Sequence, residues 1–118
     1  MAIEKFLSKV KNTPEAVEFA ETIALIDSAY TFNPCSFING ALVNEVGQNN
    51  GSCKIFSFGQ IHGLSESDTL ALFGHFYRND VLNNAHGTDH QNIRNFMNTG
   101  WGGIKFSGHA LAKISSIQ

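Results

Sequence analysis

The residues best suited to chemistry lie close together in one stretch of the chain, residues 86–106. Its first sixteen positions hold side chains that ionise, ligate metals or donate hydrogen bonds: His86, Asp89, His90, Asn92, Arg94 and Trp101. Such a concentration is typical of a binding site or of a network that caps a helix. The sequence therefore indicates where a site would lie, whereas the chemistry of that site stays open.

The spacing within this stretch predicts a short helix over residues 89–98. His90 and Arg94 would then lie one turn apart at the edge of a buried stripe. We expect both side chains to open into one solvent-reachable hollow. An imidazole and a guanidinium beside a helix start that follows a glycine could receive a phosphate or a carboxylate. The predicted ligand-binding residues are Gly87, Thr88, Asp89, His90, Asn92, Arg94, Trp101 and Arg78.

The same residues also fit a purely structural role. Thr88 and Gln91 have the spacing of a capping box, with Thr88 as the N-cap. Asp89 would then complement the helix dipole, His90 would hydrogen-bond a neighbouring loop, and Arg94 would tie down a carbonyl or carboxylate. We favour this capping account over a ligand site, because buried polar groups need partners whatever the function.

Metal binding and catalysis have less support in the sequence. The chain has five histidines, but their spacing matches no zinc template, so we predict no metal and no cofactor. Nucleophilic catalysis would need Cys35, Cys53 or a serine within reach of His90, and the sequence shows neither a nucleophile elbow nor a phosphate loop. A small hydrolase or metal-dependent enzyme using His90 and Asp89 is therefore the alternative to a non-enzymatic module.

Two members of the predicted site have specific structural alternatives. Trp101 lies between two glycines and just before an apolar segment, so we favour a core ring that anchors the turn into the last strand over an exposed interface ring. Arg78 ends the clearest helical pattern. We expect it to pair with Asp80 or Asp89, the alternative being a solvated helix end.

Composition limits the class of protein. A chain of 118 residues fits one domain that can bury a core. An apolar share of 42% and a charged share of 15% indicate a globular protein. The formal charge of −2 argues against nucleic-acid binding, and no segment has the length and apolarity of a membrane span. Ten phenylalanines predict a dense core, an interface or an apolar pocket.

Cysteine usage and the first residues bear on the compartment. Two cysteines, Cys35 and Cys53, are too few for a disulfide framework, so we expect two buried, reduced thiols. The alternative is one disulfide bond between them, if the chain is exported. The first twelve residues have a helical period rather than the apolar run of a signal peptide. We therefore expect a cytoplasmic protein, and a Sec-independent secretion route stays open.

The first part of the chain is predicted to form two helices. Apolar residues at helical spacing indicate a helix over residues 3–10. Thr13 and Pro14 then predict a second helix that runs to about Ser28. Its buried face would consist of Val17, Ala20, Ile23 and Ala24.

Short strands and further helices follow. Alternation predicts strands at 30–32, 36–38 and 104–106, with a turn at Asn39-Gly40, a loop at 47–51 and a last turn or strand at 110–114. Helices are predicted at 53–62, capped by Ser52 and ended by Gly63, and from Ser65 to a fraying end near 78–80. The fold class is therefore α+β, a single compact, mostly helical domain with a small antiparallel sheet.

Five segments, taken in chain order, resemble a known family. They are FNPCSFING (32–40), NxGSCKIF (49–56), TLALFGHFYRNDVL (69–82), GTDHQNIRNFM (87–97) and GWGGIKFSG (100–108). Together they are similar to the HopJ family, named after a type III effector of plant-pathogenic pseudomonads. The resemblance implies one HopJ-like domain over residues 1–118 and a secreted effector, and it carries no reaction, cofactor or catalytic residue.

These observations favour two related functions. The first is a non-enzymatic interaction module whose partner is a host or bacterial protein. The second is a module that binds a small anionic ligand at the helix start near Gly87–Arg94. Low charge and abundant aromatic residues suit both functions.

Overall fold

Five α-helices and five short strands make up residues 2–114, the part of the chain that the computed structural model describes. The helices are α1 (Ala2–Asn12), α2 (Phe19–Ala29), α3 (Asn50–Ile61), α4 (Glu66–Ala71) and α5 (Gln91–Thr99). The strands are β1 (Tyr30–Phe32), β2 (Phe37–Asn39), β3 (Leu42–Asn44), β4 (Ile104–Phe106) and β5 (Leu111–Lys113). Single 3₁₀ turns cover Pro14–Ala16 and Gly100–Gly103, and a π-helical turn covers Phe76–Val81.

The strands form two antiparallel sheets. β1 pairs with β5, and β2 lies between β3 and β4. In the three-stranded sheet Phe37 lies opposite both Asn44 and Phe106. The Phe37 side chain is buried in the core, whereas the next residue, Ile38, faces solvent. The predicted α+β class with a small antiparallel sheet is confirmed. The predicted strand at 36–38 lies one residue further on, and β3 was not predicted.

The core is built around α3, which carries fully buried side chains on several faces. Phe56 packs against Phe37, Phe73, Phe96 and Trp101 with ring centroids 4.9–6.4 Å apart. These contacts are mostly tilted or edge-to-face, the arrangements that aromatic rings prefer. Phe56 therefore joins the sheet, α4, α5 and the Gly100–Gly103 turn into one core.

The second helix departs from the prediction. Pro14 starts only a single 3₁₀ turn, after which Val17 is extended (φ −80°, ψ 134°) and fully buried. A new helix then begins, with a reciprocal capping box between Glu18 and Glu21. Because the break changes the orientation of the helix, its buried residues are Thr22 and Ile26, and the predicted Ala20 and Ala24 are exposed.

Two other predicted boundaries are wrong for identifiable reasons. The N-cap of α3 is Asn49, so the helix begins before Ser52. The helix that starts after Ser65 ends at Ala71, because the chain turns at Gly74 with φ +61°. A Cβ there would lie 2.5 Å from the Phe19 nitrogen, so glycine allows this turn to pack on the start of α2. The Ser65 cap itself is confirmed, since its hydroxyl accepts from the Asp68 N–H at 3.0 Å.

Candidate functional site

The helix start near Gly87–Arg94 differs from the predicted capping box. α5 begins at Gln91, and its N-cap is His90, which adopts a left-handed conformation (φ 50°, ψ 49°). The Thr88 side chain does not cap the helix within the described structure; instead the Gln91 side chain donates to the Thr88 carbonyl. The loop before α5 must therefore be held by other contacts.

Arg94 supplies those contacts. Its Nε donates to the Asp89 carbonyl at 2.6 Å, and its Nη1 donates to the Asn84 carbonyl at 2.8 Å. Its Nη2 pairs with the Asp89 carboxylate at 2.7 Å, and this hydrogen bond holds the pKa of Asp89 below its ordinary value. The Arg94 side chain is 11% exposed. It thus ties the loop to the helix, which is the role that the capping account gives it.

Gly87 lies directly under this guanidinium. A Cβ at this position would lie 2.6 Å from Arg94 Nη2 and 2.6 Å from Asn84 Nδ2. A side chain at this position would therefore require the Arg94 guanidinium or the Asn84 side chain to move. The glycine that suggested an anion site in the sequence makes room for Arg94 instead.

His90 is oriented by a carboxylate and an aromatic ring. Its Nε2 donates to Asp80 Oδ2 at 3.1 Å, and the Asp89 carboxylate lies 3.9 Å away. The imidazole packs against the Phe76 ring with centroids 5.2 Å apart. The side chain remains 28% exposed, so it is both positioned and accessible.

His90 borders a cleft with a volume of about 560 Å³. The cleft lies between the starts of α3 and α5. Its polar lining residues are Asn49, Ser52, His90, Gln91 and Asn92. Its apolar lining residues include Phe19, Leu42, Phe73, Phe76 and Ile93. A mostly apolar lining with several polar groups is typical of a small-molecule pocket.

Helices α3 and α5 both begin at this cleft with the same backbone conformation. Asn49 and His90 have φ of 54° and 50°, the positive-φ non-glycine residues among residues 2–114, and each is an N-cap. Neither side chain accepts a hydrogen bond from the first turn of its own helix in the described structure. The first turn of a helix has N–H groups without intrahelical partners and a positive dipole end. Two such turns on one cleft favour negative charge in it.

A buried asparagine network connects the two helix starts to the β2–β3 hairpin. Asn92 donates to Asn44 Oδ1 at 2.9 Å, and Asn39 donates to Asn92 Oδ1 at 3.0 Å. Asn49 also donates to Asn44 Oδ1, at 2.7 Å. Asn39, Asn44 and Asn92 are at most 5% exposed. Within the described residues Asn39 Oδ1 has no hydrogen-bond partner, but the other amide contacts hold the two helix starts in place against the hairpin.

Known proteins resemble this chain in sequence and in fold. A family model described as HopJ type III effector protein matches residues 3–111. The chain belongs to this family. A crystal structure of VPA0580, a protein of unknown function, is similar to the HopJ chain at 49% identity with a TM-score of 0.95. The match covers 97% of this chain and 95% of that one. The search of curated proteins finds no match.

The HopJ domain divides the predicted site residues between two clefts. His90 and Asn92 line the large cleft, whereas Gly87 and Arg94 line a smaller one of about 330 Å³ that also contains Met97. The expectation that His90 and Arg94 open into one hollow is wrong, because the left-handed N-cap and the loop ties turn the two side chains apart. That the eight predicted residues bind a ligand stays a prediction.

Arg78 lies away from both clefts in the HopJ domain. It donates to the Val17 carbonyl at 2.8 Å and pairs with Glu18 at 3.2 Å, so the expected pairs with Asp80 and Asp89 are not formed. The π-helical turn directs the guanidinium towards the break before α2. Arg78 therefore stabilises the extended segment around Val17.

Trp101 is half-buried and packs against the core, which agrees with the anchoring role favoured from the sequence. Its ring packs edge-to-face on Phe96 at 5.0 Å, and its Nε1 donates to the Leu64 carbonyl at 2.9 Å. Its backbone N–H donates to the Glu66 carboxylate. The ring thus fixes the turn that leads into β4.

The structure adds site residues that the sequence reasoning missed. Asn39, Asn44 and Asn49 support the cleft, but Asn39 was interpreted only as part of a turn, and no local pattern marks the other two. Within residues 2–114, no group of three or more His, Cys, Asp or Glu side chains is placed to hold a metal ion. No helix in the same range is long and apolar enough to cross a membrane.

Proposed function

We propose that this HopJ domain is a non-enzymatic module that binds a small anionic ligand, a carboxylate or a phosphate ester, in the cleft between α3 and α5. The observation that carries the proposal is the meeting of the His90 imidazole with the first turns of two helices on one cleft. Backbone N–H groups are donors suited to an anion, and a protonated His90 would donate to it from Nδ1 while Nε2 stays on Asp80.

The arrangement of charges around His90 supports this function. Asp80 accepts from His90 Nε2 and fixes the orientation of the ring. Arg94 neutralises Asp89, the nearest other carboxylate, which would otherwise oppose an incoming anion. Arg94 is therefore a positioning residue, while His90 would contact the ligand.

The same contacts weigh against the enzyme alternative. A catalyst built on His90 and Asp89 would need that carboxylate to orient or ligate. Asp89 is instead held by the Arg94 guanidinium at 2.7 Å and lies 3.9 Å from His90. A binding role uses the observed pairs without changing them.

Titration of phosphate, acetate and benzoate, followed by NMR, tests the proposal. We expect the His90 side chain and the amides of Gly51, Ser52 and Asn92 to shift together with one dissociation constant, because they line one cleft. Replacing His90 by Ala should weaken binding about tenfold, the value of one charge-assisted hydrogen bond. His109→Ala is the control, because His109 is exposed and lies outside this cleft. Unmoved amides with all three anions would overturn the proposal.

The family description supports a second proposal, about where the domain works. We propose that it is delivered as an effector by a Sec-independent route and acts on a host protein. A reporter fusion should leave bacteria that have a working type III apparatus and stay inside an isogenic strain that lacks it. Equal retention in both strains would contradict delivery and leave the binding proposal untouched.

A further inference from the structure

The two cysteines lie against each other, although they are far apart in sequence. Cys35 lies in the connection between β1 and β2, and Cys53 lies in the first turns of α3. The Cys53 thiol donates to the Cys35 carbonyl at 3.9 Å. Both thiols are free in this structure. The fold therefore brings together a thiol pair.

The surroundings of the two thiols differ in a way that sets an order of reaction. Cys35 is half-buried, and its sulfur also lies 3.9 Å from the Gly108 carbonyl. Cys53 is 1% exposed. A dissolved reagent would therefore reach Cys35 first, and Cys53 would react only with the Cys35 sulfur once that sulfur is part of a mixed disulfide.

We propose that Cys35 and Cys53 form a thiol–disulfide exchange site whose co-reactant is a small soluble disulfide such as oxidised glutathione. In the first step the Cys35 thiolate attacks one glutathione sulfur, the glutathione S–S bond breaks, and one glutathione thiolate leaves. In the second step the Cys53 thiolate attacks the Cys35 sulfur, and the second glutathione leaves. Two protein thiols are oxidised, one disulfide is reduced to two thiols, and the protons exchange with solvent.

Burial makes the second step slow at neutral pH. Desolvation, together with the neighbouring Cys35 thiol, raises the pKa of Cys53 to about 11. The reacting thiolate is then a small fraction that grows about tenfold for each unit of pH below that value. Once formed, the glutathione adduct on Cys35 should persist at low pH and close to the internal disulfide faster as the pH rises.

The bridge would act on the start of α3. Cys53 directly follows Gly51 and Ser52, which line the large cleft. An internal disulfide would tie this helix start to the β1–β2 connection and restrict its movement. This consequence concerns the cleft, but the exchange chemistry does not depend on an anion binding there.

The experiment is incubation of the native protein with oxidised glutathione at about pH 6, 7, 8 and 9, followed by intact mass and non-reducing peptide mapping. The expected result is a single glutathione adduct on Cys35 that converts to a protein two hydrogens lighter, about tenfold faster per pH unit. Dithiothreitol should reverse the change. A Cys35 adduct that persists at the highest pH, or bridges between two molecules, would overturn the proposal.

Two variants check the order of the steps. In Cys53→Ala the adduct on Cys35 should form at the wild-type rate and never close. In Cys35→Ser the shielded Cys53 should stay unmodified, because it is 1% exposed. If Cys53 in that variant reacts as fast as Cys35 does in the wild type, the assigned order, and with it the proposal, is wrong.

Discussion

The starts of α3 and α5 border one cleft and follow the same backbone plan, but different forces hold them. Asn49, the N-cap of α3, donates to the buried amide of Asn44. His90, the N-cap of α5, donates to the half-exposed carboxylate of Asp80, and Arg94 ties the preceding loop. Neutral buried contacts do not respond to salt or pH, whereas charged surface contacts do. The α3 side should therefore be the fixed wall of the cleft and the α5 side the adjustable one.

The largest effect is expected from breaking the amide network that joins the two starts. Asn92→Ala removes the hydrogen bonds of the Asn92 side chain to Asn39 and Asn44, although Asn39 keeps the Asn92 carbonyl and Asn44 keeps Asn49. We expect the free energy of unfolding to fall by about 3 kcal/mol, roughly 1 kcal/mol for each of the buried hydrogen bonds lost. Urea unfolding measures it. Asn98→Ala, on the exposed side of the same helix, is the control and should change stability by less than about 0.5 kcal/mol. Equal losses in both would show that the network holds nothing together.

The next effect concerns the charged side alone. Gly87→Ala places a Cβ 2.6 Å from Arg94 Nη2, so the guanidinium must leave the loop carbonyls or the loop must move. We expect a loss of about 2 kcal/mol in urea unfolding and a shifted Arg94 Nε–H signal in NMR spectra. The α3 amides should keep their positions in the spectrum.

Gly102→Ala is the matched control for that substitution. A Cβ at Gly102 would have no neighbouring atom within 4 Å. The variant should therefore unfold at nearly the wild-type urea concentration. A similar loss in both variants would mean that glycine flexibility, rather than space for Arg94, explains the effect at Gly87.

Whether a feature could be predicted from the sequence depends on how far apart along the chain its contacting residues lie. The Ser65 cap and the strand over Ile104–Phe106 depend on neighbouring residues, and both were predicted correctly. The amide network joins Asn39 to Asn92, 53 positions apart, and no periodicity encodes that contact. It was therefore missed.

The capping box predicted at the start of α5 is wrong for a different reason. Thr88 and Gln91 satisfy the local capping pattern, but Arg94 binds the loop carbonyls through contacts that only Gly87 permits. A four-residue capping pattern takes no account of the Arg94 guanidinium, because Arg94 lies outside it. His90 then occupies a left-handed position that the sequence does not mark. Local sequence rules therefore predicted the helix but did not identify its N-cap, His90.

A paired substitution sharpens the comparison between the two N-caps. Replacing Asn49 or His90 by glycine relieves a positive φ and adds the same backbone entropy to the unfolded state, so these terms largely cancel between the variants. Asn49→Gly loses a hydrogen bond to a buried amide, whereas His90→Gly loses a hydrogen bond to the exposed Asp80 carboxylate and the ring contact with Phe76. We expect Asn49→Gly to be less stable than His90→Gly by about 1 kcal/mol in thermal and urea unfolding. The reverse order would mean that the α5 start is the better anchored of the two.

The smallest effect is expected at acidic pH, and it should be confined to the α5 side of the cleft. The Arg94 guanidinium lowers the pKa of Asp89, so this pair stabilises the fold above the ordinary aspartate range and is lost as the pH falls through the depressed pKa. Below about pH 4 the amide of Gln91 should shift and exchange faster with solvent, while that of Cys53 in α3 should not. NMR titration measures both signals. Asp89→Asn removes the titrating group, so the Gln91 shift should disappear from that pH range. If the α3 amides move with the same midpoint, the two starts respond as one unit, and the contrast between a fixed and an adjustable wall fails.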